Sequence, residues 1–212
     1  MHDELIIYGG NKINPKKALI MLHGRGASAE DILPISAHLH VKDFLLAAPQ
    51  AVYNSWYPNS FLTPPDKNEP WLSSSLEIVN KIVNGLSGRG ISFSNIYFLG
   101  FSQGACLTLE YTARHAAAYG GIVAFTGGLI GDRIYEEKYK GNFDNTPVFI
   151  GSSDPDFHVP VERVLATGNI FRKMGADLTE SIYKNMGHTI IQDELDQANT
   201  LVFKQPPQTA TK

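Results

Sequence analysis

Apolar runs rich in β-branched and aromatic residues alternate along this chain with segments of helical periodicity. The runs predict strands at 5–8, 18–22, 44–48, 96–99, 122–125, 148–150 and 178–183. Several of them are apolar at consecutive positions, which is typical of strands that are buried on both faces of a sheet. The alternation therefore predicts an α/β fold with a mostly parallel central sheet and helices on both of its faces.

Helical periodicity predicts helices at 29–39, 72–86, 103–115, 161–174 and 192–203. Ser28 and Asp31 form the pattern of a capping box at the start of the first of these helices. Two segments, 53–70 and 127–146, are rich in proline, glycine and aromatic residues and predict loops. Both follow predicted strands, so we expect them at the carboxyl edge of the sheet, where open α/β sheets build their sites.

The organisation of the chain predicts a single domain over residues 1–204, because no repeat or interdomain linker interrupts it. The predicted loops leave no room for a separate lid domain. Paired prolines and threonines in residues 205–212 predict a disordered tail.

Composition excludes several classes of function. The net charge of −3 gives no reason to expect nucleic acid or an anionic membrane as a partner. No apolar run approaches the roughly 20 residues of a spanning helix, and residues 1–4 lack the basic and apolar parts of a secretory signal.

Cys106 is the single cysteine, so we expect no internal disulfide and a reducing compartment such as the cytoplasm. Neither paired cysteines nor a His-Glu-x-x-His motif is present, so we expect no metal and no organic cofactor.

The segment Gly100-Phe-Ser102-Gln-Gly104 carries the strongest indication of chemistry. It joins a predicted strand to a predicted helix, which is the context in which Gly-x-Ser-x-Gly forms a nucleophile elbow. Glycines are needed on either side of the serine because the turn is too tight for side chains there. The elbow holds a hydroxyl at the carboxyl edge of the sheet, above a helix N-terminus that favours negative charge. Ser102 is therefore the predicted nucleophile.

A serine nucleophile needs a histidine base that is oriented by a carboxylate, and in α/β-hydrolases the chain order is Ser, then Asp or Glu, then His. Of the histidines downstream of Ser102, His188 follows the last predicted strand in a loop at the carboxyl edge, and it is the predicted base. The acid should lie between the two, in the loop after the strand at 148–150. Asp154 and Asp156 both fit, and their spacing alone does not choose between them.

The oxyanion hole of such an enzyme needs two backbone N–H groups. We expect one from Gln103, which follows the nucleophile, and the other from Arg25, in the glycine-flanked turn Leu22-His-Gly-Arg-Gly26. His158, in the same loop as the candidate acids, is expected to face the substrate.

Four side chains of the 53–70 loop have two interpretations that the sequence leaves open. They either line an acyl groove for short or medium chains, or they pack the loop against the sheet. These side chains are Trp56, Tyr57, Phe61 and Leu62.

The same glycine-rich turn also supports a competing hypothesis. Gly24-x-Gly26-x-x-Ala29 follows a strand and opens a helix, as in the fingerprint of NAD(P)-binding oxidoreductases. That fingerprint needs an acidic residue at the end of the second strand, whereas the strand at 44–48 is followed by Pro49 and Gln50. A non-catalytic binding protein with a hydrolase fold is a further alternative, and it would be expected to lack a member of the triad.

Three motifs together resemble the phospholipase/carboxylesterase family, the small lidless α/β-hydrolases that include acyl-protein thioesterases and lysophospholipases. They are Leu22-His-Gly-Arg-Gly26, Gly100-Phe-Ser-Gln-Gly-Ala105 and Asp156-Phe-His-Val-Pro160. The resemblance runs from about residue 19 to the last predicted helix. Trp56-Tyr-Pro and Glu69-Pro-Trp71 look like the bacterial branch of that family.

The resemblance implies roles for individual residues. It implies that Ser102 is the nucleophile, that His188 is the base, and that Arg25 and Gln103 are the oxyanion donors. Bacterial relatives carry their acid in an Asp-Pro-His-Ile/Val-Pro segment, so the resemblance favours Asp156, with phenylalanine in place of the proline. It implies hydrolysis of small carboxylic esters or thioesters, including phospholipid-like ones, through an acyl-enzyme. The oligomeric state stays open, with a homodimer as one alternative.

Overall fold

The computed structural model describes residue 2, residues 5–11 and residues 13–204, and the predicted tail at 205–212 lies outside these residues. Within them the chain forms one seven-stranded sheet. Its strands are β1 Ile6–Gly10, β2 Ala18–Leu22, β3 Leu45–Pro49, β4 Ile96–Phe101, β5 Gly121–Phe125, β6 Pro147–Asp154 and β7 Asp177–Lys184. Their spatial order is β1-β3-β2-β4-β5-β6-β7. Only the β1–β3 pair is antiparallel, so the predicted mostly parallel sheet is confirmed.

Helices cover both faces of the sheet, as predicted. They are α1 Ala29–Ile32, α2 Trp71–Gly88, α3 Gln103–Arg114, α4 Val161–Lys173 and α5 Gln192–Leu201. Side chains of α2, α3 and α4 pack in one core layer, and those of α1 and α5 pack in the other. No helix in the described part of the chain is long and apolar enough to cross a membrane.

Successive residues of the central strands belong to opposite core layers. In β2, Leu19 and Met21 pack toward α1 and α5, whereas Ile20 and Leu22 pack toward α2, α3 and α4. This is the period-two geometry of a strand with both faces buried. It explains why β2, β4 and β5 are apolar at consecutive positions.

The helix predicted at 29–39 is wrong beyond its first turn. Its start is as predicted, since Ser28 Oγ accepts a hydrogen bond from Asp31 N and Asp31 Oδ2 accepts one from Ser28 N. The α-helix ends at Ile32, however, and Leu33–His38 continues as a 3₁₀-helix. Pro34 has no N–H for an α-helical hydrogen bond, and its ring opposes continuation of the helix.

The two predicted loops follow β3 and β5 and therefore leave the sheet at its carboxyl edge. The first contains the short 3₁₀ turns Val52–Asn54 and Pro65–Asn68, and the second contains Glu136–Lys138. The connections that leave β2, β4, β6 and β7 meet the loops at the same edge.

Candidate active site

Ser102 occupies a sharp turn between β4 and α3, with φ 54° and ψ −118°. Few non-glycine residues adopt such a backbone conformation, and it is characteristic of functional sites. A Cβ at Gly100 would collide with the carbonyl oxygen of Gly104, and a Cβ at Gly104 would collide with that of Leu22. Both glycines of the motif are therefore required sterically.

Ser102, His188 and Asp156 form one chain of hydrogen bonds. Ser102 Oγ lies 2.8 Å from His188 Nε2, and His188 Nδ1 lies 2.8 Å from Asp156 Oδ2. Asp154, the other candidate acid, is exposed at the end of β6. The structure therefore brings Asp156, and not Asp154, to the histidine.

The carboxyl group of Asp156 is enclosed and fully hydrogen-bonded, with a side chain that is 0% exposed. Its Oδ1 accepts hydrogen bonds from the backbone N–H groups of His158 and Val159, at 2.7 and 2.9 Å. Burial acts to raise the pKa of this carboxyl, but the hydrogen bonds from His188 and from the two backbone groups outweigh burial and hold the pKa below its ordinary value. An ionised Asp156 accepts a hydrogen bond from His188 Nδ1, which leaves Nε2 to accept a hydrogen bond from the serine hydroxyl.

Ser153 ties the acid loop, residues 155–160, to the histidine loop, residues 185–190. Its Oγ accepts a hydrogen bond from Gly187 N and donates one to Pro155 O, each at 3.0 Å. The role of Ser153 was not predicted from the sequence. The available signal was a hydroxyl at the end of an apolar strand, immediately before the loop that carries the candidate acids.

The glycine-flanked turn after β2 lies beside the serine, since a Cβ at Gly24 would be 3.5 Å from Ser102 Cβ. A hydrogen bond from Ala27 N to Gly24 O closes the turn, and Gly26 has a φ of 81°, a conformation that glycine favours. Within the described part of the chain, neither Arg25 N nor Gln103 N donates to a protein acceptor. Both backbone N–H groups are therefore available to a substrate oxygen.

His23 supports this turn from inside the protein. Its Nδ1 lies 2.8 Å from Gly24 O, and its Nε2 accepts a hydrogen bond from Ala51 N at 3.1 Å. The side chain is completely buried, and this burial lowers the pKa of the imidazole, so the ring is neutral. His23 is a structural residue that does not line the site.

A cavity of about 430 Å³ opens beside Ser102. Three of the predicted substrate residues, Tyr57, Phe61 and His158, line it together with Val159. The ring of His158 also packs edge-on against that of His188, at 4.9 Å between centroids. The cavity combines an apolar wall with the hydroxyl and imidazole at its mouth.

Trp56 and Leu62, for which the sequence left a groove role and a packing role open, are not among the residues that line this cavity. Trp56 is completely buried under the loop, where its indole Nε1 donates a hydrogen bond to His23 O at 2.8 Å. An indole ring gains most from burial when its N–H has a partner, as it has here. Leu62 packs against the core layer of α2, α3 and α4. The packing alternative therefore describes these two residues.

Cys106 lies one turn along α3 from the serine and forms part of the cavity wall. Its side chain is buried, and this burial raises the pKa of the thiol to about 12. The thiol is therefore protonated at neutral pH and is unreactive as a nucleophile.

The dinucleotide alternative requires free N–H groups at the start of α1 to hold a pyrophosphate. Here Ala29 N donates to Gln50 Oε1 at 2.8 Å, and Asp31 N donates to Ser28 Oγ at 3.2 Å. The helix has only four residues. Gln50, which stands where the ribose-binding acid is expected, is thus a helix cap, and the geometry does not favour a nucleotide site.

Comparisons with known proteins identify relatives over almost the whole chain. A sequence profile described as Phospholipase/Carboxylesterase matches residues 6–204. The crystal structure of a phospholipase/carboxylesterase from Dyadobacter fermentans superposes with a TM-score of 0.94 at 47% identity, over 96% of this chain and 98% of that one.

Curated relatives are more distant. Acyl-protein thioesterase 1 of Kluyveromyces lactis is 33% identical over 130 residues, which is 58% of this chain and 56% of that protein. A probable carboxylesterase of Oryza sativa subsp. japonica is 25% identical over 197 residues, which is 84% of this chain and 83% of that protein. The chain thus spans about half the length of the thioesterase and most of the carboxylesterase.

Proposed function

The chain belongs to the phospholipase/carboxylesterase family of ester hydrolases, and we propose that it hydrolyses small carboxylic esters or thioesters through an acyl-enzyme on Ser102. The observation that carries this proposal is the continuous hydrogen-bonded chain from Ser102 through His188 to Asp156, beside a cavity of about 430 Å³. Such a chain supplies what a serine hydroxyl lacks at neutral pH, a nearby base held in the correct tautomer.

In the first half of the proposed reaction, Ser102 Oγ attacks the carbonyl carbon while His188 Nε2 takes the hydroxyl proton. The ionised carboxylate of Asp156 stabilises the imidazolium that forms. His188 then gives the proton to the leaving alcohol or thiol, which departs and leaves the acyl group on Ser102.

The second half repeats these steps with water. His188 removes a proton from the water as it attacks the acyl-enzyme, and returns it to Ser102 Oγ as the acid product leaves. In both halves the backbone N–H groups of Arg25 and Gln103 hold the oxyanion, each contributing roughly 3 kcal/mol at comparable sites. No step of this mechanism needs a metal or an organic cofactor.

The substrate class follows from the wall of the cavity. Tyr57, Phe61 and Val159 offer an apolar surface to an acyl chain next to the serine, which supports short or medium acyl groups. The single cysteine, a buried free thiol, supports a cytoplasmic location.

The experiment that tests this function is hydrolysis of p-nitrophenyl esters from acetate to dodecanoate by the wild type and by Ser102→Ala. We expect the substitution to abolish turnover and the chain-length optimum to report the depth of the cavity. Acyl-coenzyme A esters of the same chain lengths then compare thioesters with esters. Equal rates for wild type and variant, or none for either, would refute a serine hydrolase of these substrates.

A further inference from the structure

We infer that the side chains of Arg25 and Gln103 hold the backbone N–H groups of these two residues, the oxyanion donors, in position. They do so by binding residues 55–59, a segment that we call the strap. The side chains of Arg25 and Gln103 are then positioning groups, although their backbone N–H groups are the parts that touch substrate. This inference rests on the proposed function, because it assigns a role within the same site.

The side chain of Gln103 holds the middle of the strap. Its Oε1 accepts a hydrogen bond from Trp56 N at 2.9 Å, and its Nε2 donates one to Tyr57 O at 2.8 Å. The residue is only 6% exposed. A primary amide is the group that can accept from one peptide and donate to the next, as it does here.

The side chain of Arg25 holds the end of the strap. Its Nη1 donates to Pro58 O at 2.8 Å, and its Nη2 donates to Asn59 O at 2.6 Å. The two nitrogens of one planar guanidinium thus bind two consecutive carbonyl groups. This forked geometry is specific to arginine, since a lysine ammonium is a single point donor.

The strap is itself attached to the protein core. Trp56 donates from its indole to His23 O, and the Trp56 carbonyl accepts a hydrogen bond from Ser75 Oγ at 2.7 Å. At the other end, Asn59 N donates to Oδ1 of the buried Asn68 at 2.9 Å. The side chains of Arg25 and Gln103 therefore bind a segment whose own position is fixed by hydrogen bonds to the core.

This arrangement matters because an oxyanion hole acts through donors that are already in place when the charge develops. Gln103 N is fixed by its position at the start of α3, but Arg25 N belongs to a short exposed turn. Through the strap, the Arg25 side chain links that turn to the side chain of Gln103. Loss of the fork should let Arg25 N move relative to Gln103 N, and even a small displacement weakens the stabilisation of the oxyanion.

The test compares Arg25→Lys with Arg133→Lys in assays with p-nitrophenyl butyrate. Both substitutions keep the positive charge and replace an exposed arginine, but Arg133 does not line the cavity. We expect Arg25→Lys to lower kcat by about 10- to 100-fold with KM within about threefold of wild type, and Arg133→Lys to change neither. Thermal unfolding of both variants checks that they are folded.

A second readout separates positioning of the donors from shaping of the cavity. Butyl trifluoromethyl ketone forms a tetrahedral adduct with a serine and places an oxyanion in the hole, whereas butyl methyl ether is a neutral ligand of similar shape that has no carbonyl group and forms no oxyanion. Affinity for the ketone should fall in Arg25→Lys in proportion to kcat/KM, and inhibition by the ether should not change. Gln103→Met, which adds no charge but removes the hydrogen bonds to Trp56 N and Tyr57 O, should show the same pattern.

Each outcome decides the inference. Wild-type kcat in Arg25→Lys would overturn it, because the charge would then suffice without the fork. A joint loss of affinity for the ketone, the ether and the substrate would also overturn it in favour of a role in shaping the cavity. If Ser102→Ala turns over the ester as fast as the wild type, the proposed function itself fails and the inference fails with it. That result is distinct from the other two.

Discussion

The carboxyl group of Glu194 lies against the backbone of Gly151, so closely that a Cβ at position 151 would collide with Glu194 Oε1. Glu194 is completely buried at the start of α5, where its Oε2 accepts a hydrogen bond from Ile191 N at 3.0 Å. Its Oε1 has no partner among the described residues. Burial raises the pKa of this carboxyl to about 7 from its ordinary value of 4.5.

This carboxyl should make stability depend on pH. The pKa of Glu194 is higher in the folded state than in the unfolded state, so its protonation contributes fully to the free energy of unfolding below about pH 4.5. That contribution is lost as the pH rises through about 7. The loss should be about 3 kcal/mol. Urea unfolding at several pH values should give a free energy of unfolding that falls, relative to Glu194→Gln, between pH 5 and 8. Parallel pH profiles for the two proteins would contradict this.

The two candidate acids should differ sharply in their effect on catalysis. In the proposed mechanism Asp156→Asn removes the charge that orients His188 and stabilises its imidazolium, so we expect kcat to fall by about 10⁴-fold. Asp154→Asn is the matched control, because that side chain is exposed and the hydrogen bond to His188 Nδ1 comes from Asp156. Retention of activity by Asp156→Asn together with its loss in Asp154→Asn would exchange the two assignments.

Hydrolysis should slow in acidic solution. His188 has to be neutral to take the proton of Ser102, so kcat/KM should fall in acidic solution. Hydrogen bonds hold the pKa of Asp156 below its ordinary value, so this carboxyl stays ionised in mildly acidic solution and does not contribute to the fall. A rate that is independent of pH there would argue against a histidine base.

The elbow should tolerate no side chain at its last glycine. Gly104→Ala puts a methyl group into the carbonyl oxygen of Leu22, and we expect a loss of about 1–3 kcal/mol in unfolding free energy together with most of the activity. Gly85→Ala is the control, since a Cβ there meets no atom within 4 Å inside α2. That substitution should instead stabilise the helix by about 0.5–1 kcal/mol with unchanged kcat. Chemical unfolding and esterase assays of both variants make the comparison.

Most of the sheet could be predicted from the sequence because its central strands are buried on both faces and are therefore continuously apolar. The boundaries at 18–22 coincide with β2, and the prediction at 96–99 missed only the last two residues of β4, Gly100 and Phe101, where the strand enters the elbow. The prediction at 29–39 failed for a local reason, since apolar periodicity continued through Pro34 although an α-helix could not.

The site was less accessible to sequence reasoning wherever it depends on contacts between loops. Ser102 could be predicted because the glycines beside it are a steric requirement of the elbow, and His188 because it follows the last predicted strand. In contrast, the roles of Ser153 and of the Gln103 amide depend on which backbone groups lie opposite them in space. Trp56 shows the converse, because an aromatic residue in a loop near the site turned out to be a buried support with a hydrogen-bonded indole.

The hydrogen bond between Ser102 and His188 joins positions 86 residues apart, and that between His188 and Asp156 joins positions 32 residues apart within the same interval. No fragment of the chain that ends before β7 holds both partners of the first bond. The return of esterase activity after dilution from urea would consequently time the docking of the last strand, whereas far-ultraviolet circular dichroism would follow the helices that form from contiguous sequence. A delay between the two signals would measure how late in folding this chemistry comes into existence.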